Sequence, residues 1–239
     1  MTKVFIVRKT VILILFTLVY LSANCQNSKK EFVSSMAIIN NYYDSQNKME
    51  MDVEYTTAER YSQKVIELTL GKNIKSGNNY YRISGNTEII SNEYYHLIIE
   101  NDAKKMYLLP NEGGQNEQQG ITPESINEFV KTCSTIKKIS SVNNITEYEL
   151  ILEGQTYDKM LVELDMNNKF IKKIALYDNP DLIKAEIDTH IATIIYSNFS
   201  TEPSLAEIDF TLGKYLIQTG NTAKLTKEYS AYEFYDLRR

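Results

Sequence analysis

Tyrosine is the side chain with the most chemistry to offer in this sequence: there are 18, against two histidines and no tryptophan. Tyr42-Tyr43, Tyr80-Tyr81 and Tyr94-Tyr95 are adjacent pairs, and in a strand the two rings of each pair point to opposite faces. Such rings can grip sugars or acyl chains, but they are also strong strand formers, and core filling is the preferred reading. His96 lies in a Tyr-Tyr-His-Leu strand, where the spacing predicts a wet face or a sheet edge. His190 has only Asp188 nearby in sequence. Asp52 and Glu54 share one face of a strand, as do Glu163 and Asp165. Glycosidase chemistry needs two carboxylates facing each other across a cleft, whereas alternating charges along a strand mark its solvated side. There is no nucleophile elbow, zinc-protease helix, dithiol motif, phosphate loop or dinucleotide fingerprint. Asp165-Met166-Asn167-Asn168-Lys169 lacks the acidic spacing and the glycine of a calcium loop and reads as a hairpin turn. The expectation is a protein that is not an enzyme, with no catalytic residue, no metal and no cofactor.

The elements that carry these residues are mostly strands. Met49-Glu50-Met51-Asp52-Val53-Glu54-Tyr55 alternates apolar and acidic residues, the period of a strand with one buried face. Ile66, Leu68 and Leu70 repeat the pattern, and four further short apolar runs follow up to Pro110, separated by turn residues such as Ser76-Gly77-Asn78-Asn79. The alternation predicts one inward set, Met49, Met51, Val53, Ile66, Leu68 and Leu70, and these are the candidate residues of a ligand cavity. Ser28 and Glu31 have capping-box spacing, and Phe32, Met36, Ile39 and Tyr43 then form a helical stripe, so a helix is expected near 29–46. A loop of ten residues from Asn111 separates the first strands from a second helix near 123–135. Thr122 is its expected cap, Pro123 opens it, and Ile126, Phe129, Val130 and Cys133 form its apolar stripe, which adds Phe129 to the candidate cavity. Strands are expected again over 147–152, 159–165, 170–177, 185–199 and 206–212, with the tail from Tyr229 either an edge strand or disordered. An apolar helix stripe must pack on something, and the neighbouring meander supplies a sheet face. The fold class is therefore α+β, a curved antiparallel sheet covered by helices.

Residues 1–25 stand apart from this pattern. Lys3, Arg8 and Lys9 precede an apolar run from Val11 to Leu21 that is too short to span a bilayer and has the form of a signal peptide. Export is expected, with residues 26–239 as one domain. Two readings compete at the junction: cleavage before Gln26, giving a soluble periplasmic product, or lipidation of Cys25, giving an outer-membrane anchor and the one expected membrane contact. Once Cys25 is removed or lipidated, Cys133 has no partner for a disulfide, and it is expected as a small buried hydrophobe. The whole chain has 26 basic and 31 acidic residues, a net charge of -5. Without residues 1–25, which carry three of the basic ones, the remainder is 23 against 31, or -8. That balance argues against nucleic acid and against adhesion to anionic lipid as partners.

Over residues 28–215 the order of elements is similar to that of the periplasmic lipoprotein carriers, the LolA/LolB-like group and its relatives that bind anti-sigma factors. The resemblance rests on Leu68 to Leu109: Gly71, Tyr80-Tyr81-Arg82, Ile89-Ile90-Ser91-Asn92 and the hairpin through Glu100-Asn101-Asp102-Ala103-Lys104-Lys105. The chain departs from the group in having no Trp, and in having Ser76-Gly77 where a Pro-Gly turn is usual. The resemblance implies a half-open β-barrel whose hydrophobic cavity takes up acyl chains. It also places Arg82 where the carriers have an arginine that holds the closed lid. Two function classes follow: an exported envelope protein that binds a hydrophobic small molecule, lipid or lipoprotein as carrier or sensor, or a non-enzymatic interaction module with a filled core and an envelope protein as partner.

Overall fold

The computed structural model describes residues 27–111, 123–182, 189–203, 208, 210–220 and 222–238. The expected leader with Cys25, residues 112–122 of the expected loop and cap, and positions 183–188 lie outside the described residues. By their contacts the residues divide into two units, Met1–Asn41 with Thr122–Thr189 and Tyr42–Ile121 with His190–Arg239. Antiparallel sheet dominates both, and the described residues hold two α-helices.

In the first unit, β7 (Cys133–Val142), β8 (Ile145–Leu152), β9 (Tyr157–Asp165) and β10 (Phe170–Asp178) lie in the order β10-β9-β8-β7. β8 alternates strictly, with Thr146, Tyr148, Leu150 and Leu152 buried. Its register sets Tyr148 opposite Val162, Leu150 opposite Met160, and Ile136 opposite Leu150. Opposed residues of an antiparallel ladder share a face, so these side chains make one apolar layer. Helix α1, residues 27–45, presents Phe32, Met36 and Ile39 as its buried stripe. The Phe32 ring stands edge-on to Tyr148 with centroids 5.1 Å apart. Ser28 lies inside α1 and is not its cap, and Glu31 is drawn instead into an ion pair with Lys138 at 2.5 Å.

Helix α2 spans Pro123–Thr132, three residues shorter than the spacing predicts. Cys133 opens β7, opposite Leu152, and the chain extends through Thr135 and Ile136. A ladder partner overrides the helical stripe at this point. Cys133 is buried as expected, its Sγ directed to the Phe129 carbonyl oxygen at 3.6 Å, and burial pushes its thiol pKa up. The turn at Asp165 forms as expected. Asp165 Oδ1 accepts from Asn167 N and Asn168 N, and Lys169 takes the left-handed conformation.

In the second unit the strands are β1 (Lys48–Glu59), β2 (Val65–Ser76), β3 (Asn79–Ser84), β4 (Thr87–Ser91), β5 (Tyr95–Glu100), β6 (Lys105–Pro110), β11 (His190–Ser200) and β14 (Glu233–Asp236), in the order β14-β6-β5-β4-β3-β2-β1-β11. β14 lies parallel to β6 and all other pairs are antiparallel. Gly71 allows β2 and β3 to approach, since a Cβ there would collide with the Ile83 carbonyl oxygen. On one face Ile90, Leu97, Ile99, Met106 and Leu108 are fully buried beneath Leu212, Tyr215 and Leu216. The expected strand over 206–212 is absent among its described residues. Phe210 and Thr211 form a turn, Leu212 adopts φ 65° with its side chain fully buried, and β12 (Leu216–Thr219) and β13 (Thr222–Leu225) make a separate hairpin. Burial of Leu212 outweighs the alternation of its neighbours. The tail resolves as an edge strand: β14 covers β6, with the Tyr235 ring stacked on Tyr107 at 5.1 Å.

Candidate functional site

The ladder register sorts the predicted cavity residues by face. Met51 is opposite Asn73, Val53 is opposite Gly71 and Tyr196, Asn73 is opposite Arg82, Arg82 is opposite Ile89, and Ile89 is opposite Ile98. Since opposed residues share a face, Met51, Asn73, Arg82, Ile89 and Ile98 form one row across five strands. Met49, Val53, Tyr55 and Tyr196 lie on the same face beside it. This is the opposite face of the sheet from the Ile90–Leu97 core.

Four of the predicted residues, Met49, Met51, Val53 and Arg82, therefore stand together. Met51 and Val53 are only 4% and 2% exposed, so this end of the row is packed. Arg82, Ile89 and Ile98 are half-buried, so the row opens toward β5. Leu68 is opposite Thr56 and Leu70 is opposite Glu54, which puts both leucines on the other face. Ile66 sits at a register irregularity between Thr57 and Ala58. All three are exposed, at 54% for Ile66, 56% for Leu68 and 64% for Leu70. Two strands with the same alternation do not fix their relative register, so the single inward set divides. Phe129 belongs to the first unit, half-buried on α2.

Electrostatics concentrate at Arg82. Its Nη2 donates to the Tyr55 hydroxyl at 3.2 Å, while its Nε and the Asn73 Oδ1 across the ladder are buried without a hydrogen-bond partner among the described residues. Each idle buried group costs about 1–3 kcal/mol, and here an idle donor and an idle acceptor belong to residues opposed in the β2–β3 ladder. Burial and the neighbouring Tyr55 push the Tyr196 hydroxyl pKa up against the opposing pull of Arg82. The arrangement is an apolar row with one cationic donor and one amide acceptor in its middle. It suits a ligand with a long apolar body and a polar head able to both accept and donate. Sequence reasoning missed Asn73, Tyr55 and Tyr196, whose shared face depends on register.

His96 accepts or donates through Nδ1 to the Ser91 hydroxyl at 2.7 Å, a local pair on the same face. Among the described residues no three His, Cys, Asp or Glu side chains are placed to hold a metal. In the first unit α1 and α2 flank a groove of about 840 Å³ lined by Val33, Ala37, Val130, Lys29, Lys30 and Lys131. Lys29 Nζ donates across it to the Val130 carbonyl oxygen at 3.0 Å, and Lys131 pairs with Glu128 at 2.5 Å. Much of its polar rim is thus engaged within the helix pair, and Arg82 marks the stronger candidate site.

No protein-family model matches the chain, and no curated protein matches it in sequence. Among solved structures it is similar to an uncharacterised conserved protein from Thermus thermophilus, at 8% identity and a TM-score of 0.46, over 88% of this chain and 99% of that one. It is also similar to a LolA superfamily protein from Nitrosomonas europaea, at 14% identity and a TM-score of 0.32, over 82% and 97% of the two chains. The LolA-like resemblance is found again here. A third likeness is to a putative outer membrane lipoprotein-sorting protein domain from Vibrio parahaemolyticus, at 13% identity and a TM-score of 0.30, over 72% and 94%. No helix among the described residues is long and apolar enough to cross a membrane.

Proposed function

We propose that this is an exported cell-envelope protein, a carrier or sensor in a half-open, helix-covered sheet, that binds an acyl chain or the lipid of a lipoprotein on the Arg82 face without chemical turnover. The observation that carries the reading is that Arg82 Nε and Asn73 Oδ1, on residues opposed across the ladder, are both idle in a row that includes Met51, Ile89 and Ile98. The apolar side chains take the chain, and the two polar atoms take an ester, amide or carboxylate head. A hydrogen bond to a charged group contributes about 1.5–3 kcal/mol, so Arg82→Met is expected to weaken binding of a fluorescent long-chain fatty acid by about tenfold or more. Titration of the purified protein, with circular dichroism to confirm folding, is the measurement. Equal affinity in Arg82→Met and the parent would remove Arg82 from the site.

A second reading, an interaction module, is favoured by one observation. Tyr61, Val65, Ile66, Leu68 and Leu70 are exposed together around the β1–β2 hairpin, and residues 65–70 extend beyond the part of β2 that pairs with β3. An exposed apolar edge strand is a template for a partner chain. The same titration separates the readings: Leu70→Lys leaves fatty-acid binding unchanged if the Arg82 face is the site.

A further inference from the structure

A groove of about 580 Å³ opens elsewhere in the second unit, between the β4–β5 turn and the 210–218 segment. Its walls combine the rings of Tyr94, Tyr95 and Phe210 with the side chains of Asn79, Glu93 and Gln218. We propose that this groove binds a neutral oligosaccharide, its ring faces stacked on Tyr94 and its hydroxyls bonded to Asn79, Glu93 and Gln218.

The backbone that holds Tyr94 is fixed while its ring stays in solvent. Asn92 Oδ1 accepts from Tyr94 N and Tyr95 N at 2.9 Å each, and Asn92 Nδ2 donates to the Phe210 carbonyl oxygen at 2.9 Å. The Tyr94 carbonyl oxygen accepts from Asn111 N at 2.8 Å, and Asn111 Nδ2 donates to the Asn92 carbonyl oxygen at 2.6 Å. The Tyr94 residue is nevertheless 61% exposed, an aromatic surface presented to solvent on a turn braced from both sides. Tyr95 lies next to it, with ring centroids 6.1 Å apart at 49°, and the Arg238 guanidinium over its own ring at 5.1 Å. A surface fixed before binding loses little conformational entropy when a ligand arrives.

The rim selects the ligand class. The side chains of Asn79, Glu93 and Gln218 make no hydrogen bond or ion pair among the described residues. An acyl chain would strip water from these groups and return nothing, which is costly. A nucleic acid would meet the Glu93 carboxylate on a chain of net charge -5. A saccharide has apolar C–H faces for the rings and hydroxyls that both donate and accept, and so matches amides and a carboxylate together. The volume lies in the range of small-molecule sites.

The test is a titration of the isotope-labelled full chain with maltotriose, cellotriose and triacetylchitotriose, followed by amide chemical shifts. At least one is expected to bind with a dissociation constant on the order of 1 mM, with shifts centred on 92–95 and 210–218. Tyr94→Ala is expected to weaken it by about tenfold, and Gln218→Ala to weaken it less. Ile217→Ala, exposed on the same hairpin and outside the groove, is expected to leave it unchanged. Absence of shifts with all three sugars overturns the proposal, as does binding that Tyr94→Ala leaves intact.

Discussion

Replacing Leu212 with alanine is expected to cost about 2–5 kcal/mol of stability, the range for leucine-to-alanine changes in a packed core. Leu212 is fully buried against Ile90, Leu97, Ile99, Met106 and Leu108, and its carbonyl oxygen accepts from both Tyr215 N and Leu216 N at 2.9 Å. It holds all this at φ 65°, a conformation that costs an L-residue about 1–2 kcal/mol. Packing therefore pins a strained backbone, and the two terms separate by substitution. Alanine loses the packing and keeps the strain, whereas glycine loses the packing and relieves the strain. Leu212→Gly is accordingly expected to be more stable than Leu212→Ala by about 1 kcal/mol, the reverse of the usual order. Chemical denaturation of the three proteins measures both differences. An alanine variant within about 0.5 kcal/mol of the parent would show that the segment does not close this core.

Alkali is expected to loosen the same region. Tyr81 and Tyr229 are each pushed up from 10.0 to about 12, first by burial and then by nearby carboxylates, Glu88 for Tyr81 and Glu228 for Tyr229. Tyr215 is raised further, again by burial first and Glu88 second. Tyr81 and Tyr215 both donate to Glu88 Oε2, at 3.3 and 3.4 Å. Between pH 10 and 12 the folded chain thus keeps protons that the unfolded chain has lost, so stability falls as pH rises through that window. Below pH 10 the contribution is fully present. The tyrosinate absorbance contributed by these three residues should rise together with loss of far-ultraviolet ellipticity, in one transition. Glu88→Gln should narrow the window without closing it, because burial is the leading cause. Ionisation of these tyrosines near pH 10 with the fold intact would contradict the packing described for them.

Most strands were legible from period-2 alternation, because β8 and the Met49–Tyr55 run each have one dry face. Cross-strand register was not. Leu68 and Leu70 read as companions of Met51 and Val53, yet the pairing of Val53 with Gly71 sends them to the opposite face. Local pattern also misled at two places where a distant partner decides the structure. Cys133 continues a helical stripe in sequence but finds Leu152 as a ladder partner. The alternation at 206–212 gives way to the burial of Leu212 beneath the sheet. The Arg82 face is half visible in the sequence: the family resemblance marks Arg82, and alternation marks Met51 and Val53. Asn73, Tyr55 and Tyr196 come together only through β1 pairing with β11 and with β2, and they meet Arg82 through β2 pairing with β3.

The most direct test of the Arg82 face is native mass spectrometry of the protein purified without detergent, in the parent form and as Ile98→Lys. Ile98 is half-buried at the open end of the row, so a lysine there places a charge where the acyl chain should lie while its long stem can still reach water. The parent is expected to carry an adduct with the mass of an acyl lipid, and the variant to be folded and bare. A parent at the mass of the bare polypeptide, still bare after incubation with extracted envelope lipid, would contradict ligand binding on this face.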